Sequence, residues 1–80
     1  MPWTVEEDDY DSEVLFVAAS PESARQHLVE MYPAPCKVNI GPVVMDGEEN
    51  FLIRADFYEN VLHRHCCYKT LYRGTYREVV

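Results

Sequence analysis

With 80 residues, the chain is long enough for one domain, and its net charge of −7 disfavours contact with nucleic acid or an anionic membrane. Hydrophobic residues make up 48% of the chain, which is too many for a disordered protein. The acidic excess lies in the first half: residues 1–35 hold eight acids and Arg25 alone, whereas residues 36–80 hold six acids and six bases.

Residues 1–13 form an acidic N-terminal segment. Trp3 and Val5 indicate a short edge strand over residues 3–5. Residues 6–13 (EEDDYDSE) are expected to form a solvated loop. Like charges at this density favour an extended chain over a packed one. A single α+β domain is predicted over residues 14–80.

A strand followed by a helix is predicted over residues 14–32. The continuous apolar run VLFVAA (14–19) is typical of a strand buried on both faces. Ser20 is a suitable N-cap, Pro21 fits the first helical position, and Glu22 opposes the positive end of the helix dipole. The apolar helical residues share one face and are expected to be buried: Ala24, Leu28, Met31 and Tyr32.

A β-hairpin is predicted next. Residues 36–46 have strand character, interrupted at Gly41-Pro42 by a bulge or an edge position. Asp46-Gly47 is a turn signal. The returning strand, residues 51–55, alternates so that Phe51, Ile53 and Ala55 share one face.

Residues 57–73 are predicted to form a second helix. At 100° per residue their apolar and polar side chains separate onto two faces. Asp56 and Glu59 have the spacing of a capping box, and Gly74 follows Arg73 as a C-cap glycine would. Residues 75–80 would form a closing strand. The resulting order, β-α-β-β-α-β, is the split β-α-β, ferredoxin-like arrangement.

A hairpin is the alternative for this region. Residues 66–72 and 75–80 would be its strands, with the turn at Arg73-Gly74, because Cys, Tyr and Thr favour strands. On a strand, the repeat Tyr68-Lys69, Tyr72-Arg73, Tyr76-Arg77 places the tyrosines on one face and the bases on the other. The fold would then be an antiparallel sheet packed on a single helix, residues 21–32.

The three cysteines are expected to be free thiols in the cytoplasm, because no secretory signal opens the chain. His63, His65 and Cys67 are the candidate metal ligands, for zinc, and Cys36 and His27 would have to complete the set from other elements. The spacings C-x2-C and H-x3-H are absent, so the main expectation is no cofactor. Neither Cys66 nor Cys67 has the surroundings of a nucleophile, and the chain is expected not to be an enzyme.

The acidic segment is the main candidate for function. We expect a non-catalytic protein-binding module whose carboxylates mimic phosphates and dock on a basic partner surface, with Tyr10 as an aromatic anchor. Small acidic phage proteins that block nucleic-acid-handling enzymes of a host, including defence enzymes, are similar in size and charge. A homodimeric structural or regulatory domain is a further alternative. The partner-binding residues would be Glu6, Glu7, Asp8, Asp9, Tyr10, Asp11 and Glu13, supported by Glu22 and Glu30.

Overall fold

A computed structural model describes residues 2–8, 13–33, 37–61 and 64–77, with the backbone alone for residues 59–61 and 64–68. These residues form a six-stranded antiparallel sheet with one helix. The strand order is β2-β1-β6-β5-β3, and β4 also pairs with β5. The elements are β1 (Trp3–Glu7), β2 (Val14–Ala18), α1 (Pro21–Met31), β3 (Val38–Ile40), β4 (Val44–Met45), β5 (Asn50–Val61) and β6 (Arg64–Tyr76).

The predicted helix over residues 57–73 is wrong, because the described residues of this range lie in β5 and β6. These strands pair along the whole of β5, from Asn50 opposite Thr75 to Val61 opposite Arg64. A tyrosine every fourth residue fits a helix face, but four is also a multiple of the strand period of two. The α+β class is therefore shown, with one helix on an antiparallel sheet, while the ferredoxin-like arrangement is not confirmed.

The turn predicted at Arg73-Gly74 is also wrong, since both residues lie inside β6 opposite Leu52 and Phe51. Gly74 is not a helix C-cap. A Cβ at this position would overlap the ring of Phe51, so the missing side chain lets that ring lie against the β6 backbone. Gly74 is thus a packing residue of the sheet.

Strand β1 is formed where Trp3 and Val5 predicted a strand, but it lies between β2 and β6 and is not an edge. Val5 is fully buried and Trp3 is 8% exposed. The ring centroid of Trp3 lies 5.3 Å from those of both Phe51 and Tyr76. The N-terminal segment therefore contributes to the core through its two apolar residues.

Strand β2 is an edge strand, so the prediction of a strand buried on both faces is wrong. Val14, Leu15 and Val17 are 51%, 44% and 60% exposed, and Ala18 alone is buried in this strand. The apolar run correctly indicates a strand, but burial of both its faces needs packed residues over each face of the sheet. Among the strands of residues 2–8, 13–33, 37–61 and 64–77, none lies beyond β2.

Helix α1 begins as predicted. Ser20 caps it by accepting from the Ser23 N–H at 3.1 Å, and the Ser23 hydroxyl accepts from the Ser20 N–H at 3.0 Å. Ala24 and Leu28 are buried, whereas Met31 is 42% exposed. The predicted apolar face is therefore confirmed over its first two members.

The core lies between α1 and the face of the sheet that carries Trp3 and Val5. The Tyr32 hydroxyl, just past the helix, lies 2.7 Å from the hydroxyl of Tyr72, which is fully buried. The predicted alternation in β5 is confirmed, because Phe51, Ile53 and Ala55 are fully buried. The buried residues are Trp3, Val5, Ala18, Ala24, Leu28, Ile40, Phe51, Ile53, Ala55 and Tyr72.

The predicted interruption at Gly41-Pro42 separates β3 from β4. The Gly41 N–H still donates to the Arg54 carbonyl at 2.8 Å. The predicted turn at Asp46-Gly47 is confirmed: Gly47 has φ 83°, and the Asp46 N–H donates to the Asn50 carbonyl at 2.8 Å. Local turn chemistry therefore places this hairpin correctly.

Candidate partner-binding surface

The predicted docking segment is partly strand and not wholly loop. Glu6 and Glu7 are the last residues of β1, and both are partly buried. Asp8 and Glu13 are exposed on either side of the connection to β2. Asp9, Tyr10 and Asp11 lie outside the described residues, so their predicted role stays a prediction.

The acids of β1 divide between the two faces of the sheet. Trp3 and Val5 point to the core, so strand alternation places Glu7 on the helix side and Glu6 on the opposite face. We call this opposite face the open face; among the described residues, no helix packs on it. Its β1 and β2 members are Thr4, Glu6, Val14 and Val17, which pair as Thr4 with Val17 and Glu6 with Val14.

Arg73 is the base nearest to these acids. It lies opposite Glu6 in the β1–β6 ladder. Its Nε and Nη2 donate to the Asp8 carboxylate at 3.4 and 3.5 Å, and its Nη1 lies 3.9 Å from Oδ2 of Asp46. Two acids thus pair with Arg73 and a third, Glu6, lies opposite it, so this cluster keeps a net negative charge.

The contact between Arg73 and Asp8 is weak enough to be exchanged for another partner. The Arg73 and Asp8 side chains are 34% and 40% exposed, and both hydrogen bonds are long. Exposed ion pairs of this kind contribute about 0–1 kcal/mol. Asp8 is held by its backbone instead, since its N–H donates to the Leu71 carbonyl at 2.7 Å.

Glu22 and Glu30 do not extend this acidic surface. Both are exposed on α1, and α1 packs on the face of the sheet opposite to Glu6. The Glu30 carboxylate accepts from the Gln26 amide at 3.2 Å. Glu22 and Glu30 therefore do not share a face of the sheet with Glu6, and their part in docking stays a prediction.

The first base in the sequence is turned away from the acidic segment. Residues 1–24 contain no Lys or Arg. Arg25 donates from Nε to the Gly41 carbonyl at 2.8 Å and from Nη2 to the Ile40 carbonyl at 3.0 Å. These bonds hold it between α1 and the end of β3, away from the acidic segment.

The structure does not test the predicted zinc ligands His63, His65, Cys67 and Cys36. His63 and Cys36 are outside the described residues, and of His65 and Cys67 the backbone alone is described, opposite Asn60 and Tyr58. His27 stacks on Phe16, with ring centroids 4.0 Å apart. Within the part of the chain that the structure describes, no group of three or more His, Cys, Asp or Glu is placed to hold a metal ion. Zinc binding stays a prediction.

The exposed β2 strand is the surface feature that sequence patterning missed. Its apolar residues signal a strand, but the pattern contains nothing that separates a doubly covered strand from an edge. Glu13 and the acids before it are a weak indication of an exposed strand, because a strand that follows a charged segment often lies close to solvent.

Comparison with protein-family models, curated proteins and solved structures gives no match to this chain. None of the helices in the described ranges has the length and apolar character needed to cross a membrane.

Proposed function

We propose that this protein is a small, non-catalytic binding module that docks the acidic segment, residues 6–13, on a basic surface of a partner protein. The observation that carries the proposal is the charge arrangement at the end of β1. Asp8 and Asp46 both lie within 4 Å of the Arg73 guanidinium, and Glu6 lies opposite Arg73 in the β1–β6 ladder. A cluster of carboxylates with a net negative charge attracts a basic surface and disfavours an acidic one.

The sharpest form of the proposal is inhibition of a nucleic-acid-handling enzyme. A groove that binds phosphates is lined by Lys and Arg. Carboxylates fixed on a small body would occupy such a groove and exclude the nucleic acid, as in phage-type inhibitors of host enzymes. Support comes from size and charge, and from the exposure of Asp8 and Glu13.

Charge reversal tests the proposal. The triple variant Glu6→Lys/Asp8→Lys/Glu13→Lys is compared with the control variant Glu22→Lys/Glu30→Lys/Glu48→Lys, which changes the net charge equally at exposed positions outside the segment. Binding is measured against a cytoplasmic extract at ~0.01 M and ~0.1 M salt, where the Debye length falls from ~30 Å to ~10 Å.

We expect the wild-type chain and the control to retain the same basic protein at low salt, and the triple variant to lose it. Equal retention by the triple variant would overturn the proposal. Equal loss by both variants would show that net charge alone, and not the segment, determines binding.

A metal-binding or metal-sensing module using His63, His65 and Cys67 stays an alternative prediction. A homodimer is favoured by one observation, the unpaired outer edge of β2 among the described strands. The acidic charge beside that edge argues against it, because two copies of the chain repel each other.

A further inference from the structure

The outer edge of β2 presents backbone groups without a partner strand in the described ranges. The Asp8 N–H donates to the Leu71 carbonyl, and the Pro2 carbonyl accepts from the Arg77 N–H, so even-numbered residues at both ends of β1 bond toward β6. Thr4 follows the same alternation. Its β2 neighbour Val17 therefore belongs to a pair that is not hydrogen-bonded, and its N–H and C=O point away from the sheet.

The two edges of the sheet differ in how well they are protected. The β3–β4 edge is short and broken by Gly41-Pro42. Short strands and proline are the usual protection of an edge against pairing with another chain. Strand β2 contains neither proline nor lysine. Its register shift, opposite Val5 and Glu6, disturbs the start of the strand and leaves Phe16–Ala18 regular.

The side chains around this edge define what it would accept. Val14, Leu15 and Val17 are 51%, 44% and 60% exposed. The charges beside them are acidic: Glu6 lies opposite Val14, and Glu13 directly precedes the strand. No Lys or Arg occurs in residues 1–24. A second copy of the chain would carry the same net charge of −7, whereas a strand with basic and apolar residues is complementary.

We propose that the outer edge of β2 binds an extended Lys/Arg-containing segment of the partner protein as an added strand. This inference rests on the proposed function and specifies the partner: a basic, strand-forming peptide segment. Main-chain hydrogen bonds to Val17 would give affinity, and alternating valine and lysine contacts would give selectivity.

The test uses the full chain and synthetic peptides of about eight residues, within the usual length of a strand. One peptide alternates Lys and Val. A second has the same sequence with an N-methyl group on every residue, which removes the backbone hydrogen-bond donors of both edges and keeps the charge. A third alternates Glu and Val. Affinity is measured by calorimetry, and amide hydrogen exchange is followed at Val17.

We expect the Lys-Val peptide to bind, to slow exchange of the Val17 amide, and to lose at least ~10-fold in affinity when N-methylated, about the effect of one lost net hydrogen bond. The Glu-Val peptide should not bind. The Val17→Pro variant removes the outward N–H at a position where an edge strand tolerates proline, and should lose binding. Val17→Thr keeps the N–H and should retain it.

Three results would overturn the inference. Equal binding of the methylated and unmethylated peptides would show attraction by charge alone; the proposed function would survive and the added strand would not. Absence of binding by the Lys-Val peptide, with partner capture still abolished by the triple charge reversal, would again remove the added strand alone. Self-association of the chain that Val17→Pro abolishes would identify a second copy as the occupant of the edge.

Discussion

Replacement of Gly74 by Ala tests the assignment of residues 64–76 to a strand. Gly74 lies in β6 opposite Phe51, and an added Cβ would overlap the Phe51 ring. Phe51 is fully buried, and its ring centroid lies 5.3 Å from that of Trp3. The ring therefore cannot move aside without displacing other core residues.

The expected loss of stability follows from two opposing effects. Overpacking of a well-packed core costs about 1–3 kcal/mol. A Gly-to-Ala change also makes the unfolded chain less flexible, which stabilises the folded state by about 0.4–1 kcal/mol. Gly74 does not have a left-handed φ, so the alanine adds no backbone strain. The net loss is about 1–2 kcal/mol, which lowers the Tm of a domain of this size by roughly 5–15 °C.

The assay is urea and thermal unfolding followed by circular dichroism, in a double-mutant cycle with Phe51→Leu. Because the smaller side chain removes the ring, Gly74→Ala should cost less than about 0.5 kcal/mol in that background. Gly47→Ala is the matched control. Gly47 has φ 83° and nothing within 4 Å of an added Cβ, so its cost of about 1 kcal/mol should be the same in both backgrounds. If Gly74→Ala costs the same with and without the Phe51 ring, the strand assignment fails.

Three further predictions address the helix, the core and the metal alternative. Ser20→Ala should lose about 1 kcal/mol by urea unfolding, because it removes the cap on the Ser23 N–H; an unchanged midpoint would contradict the cap. Tyr72→Phe should lose about 0.5–1.5 kcal/mol and show coupling with Tyr32→Phe, whereas additive losses would mean that the 2.7 Å hydroxyl pair does not form in solution. Chelation followed by zinc addition should leave the Tm unchanged; a stoichiometric metal that raises it would instead support the ligand set at residues 63–67.

The interactions foreseen from the sequence are local ones. The Ser20 cap joins residues three apart, and the Asp46-Gly47 turn is encoded by a dipeptide. The alternation of Phe51, Ile53 and Ala55 needs no knowledge of the partner strand, because a strand puts every second residue on one face whatever it packs against.

The candidate site was predictable in charge but not in shape. The acidic excess and the absence of bases from residues 1–24 can be counted in the sequence. The contact between Arg73 and Asp8 cannot be inferred from the sequence. These residues are 65 apart in the chain and meet only through the pairing of β1 with β6. The packing of α1 on the core face places Glu22 and Glu30 on the other side of the sheet from Glu6.

The sequence alone determined the α+β class of the chain, helix α1, the turn at Asp46-Gly47 and the negative charge of its first third. The tertiary structure decided the state of residues 57–73, because a tyrosine every four residues suits helix and strand equally and strand partners on both sides of Tyr72 favour the strand. It also decided that Val14 and Val17 are exposed. Burial is a property of what lies next to a strand, and a linear pattern does not contain the neighbour.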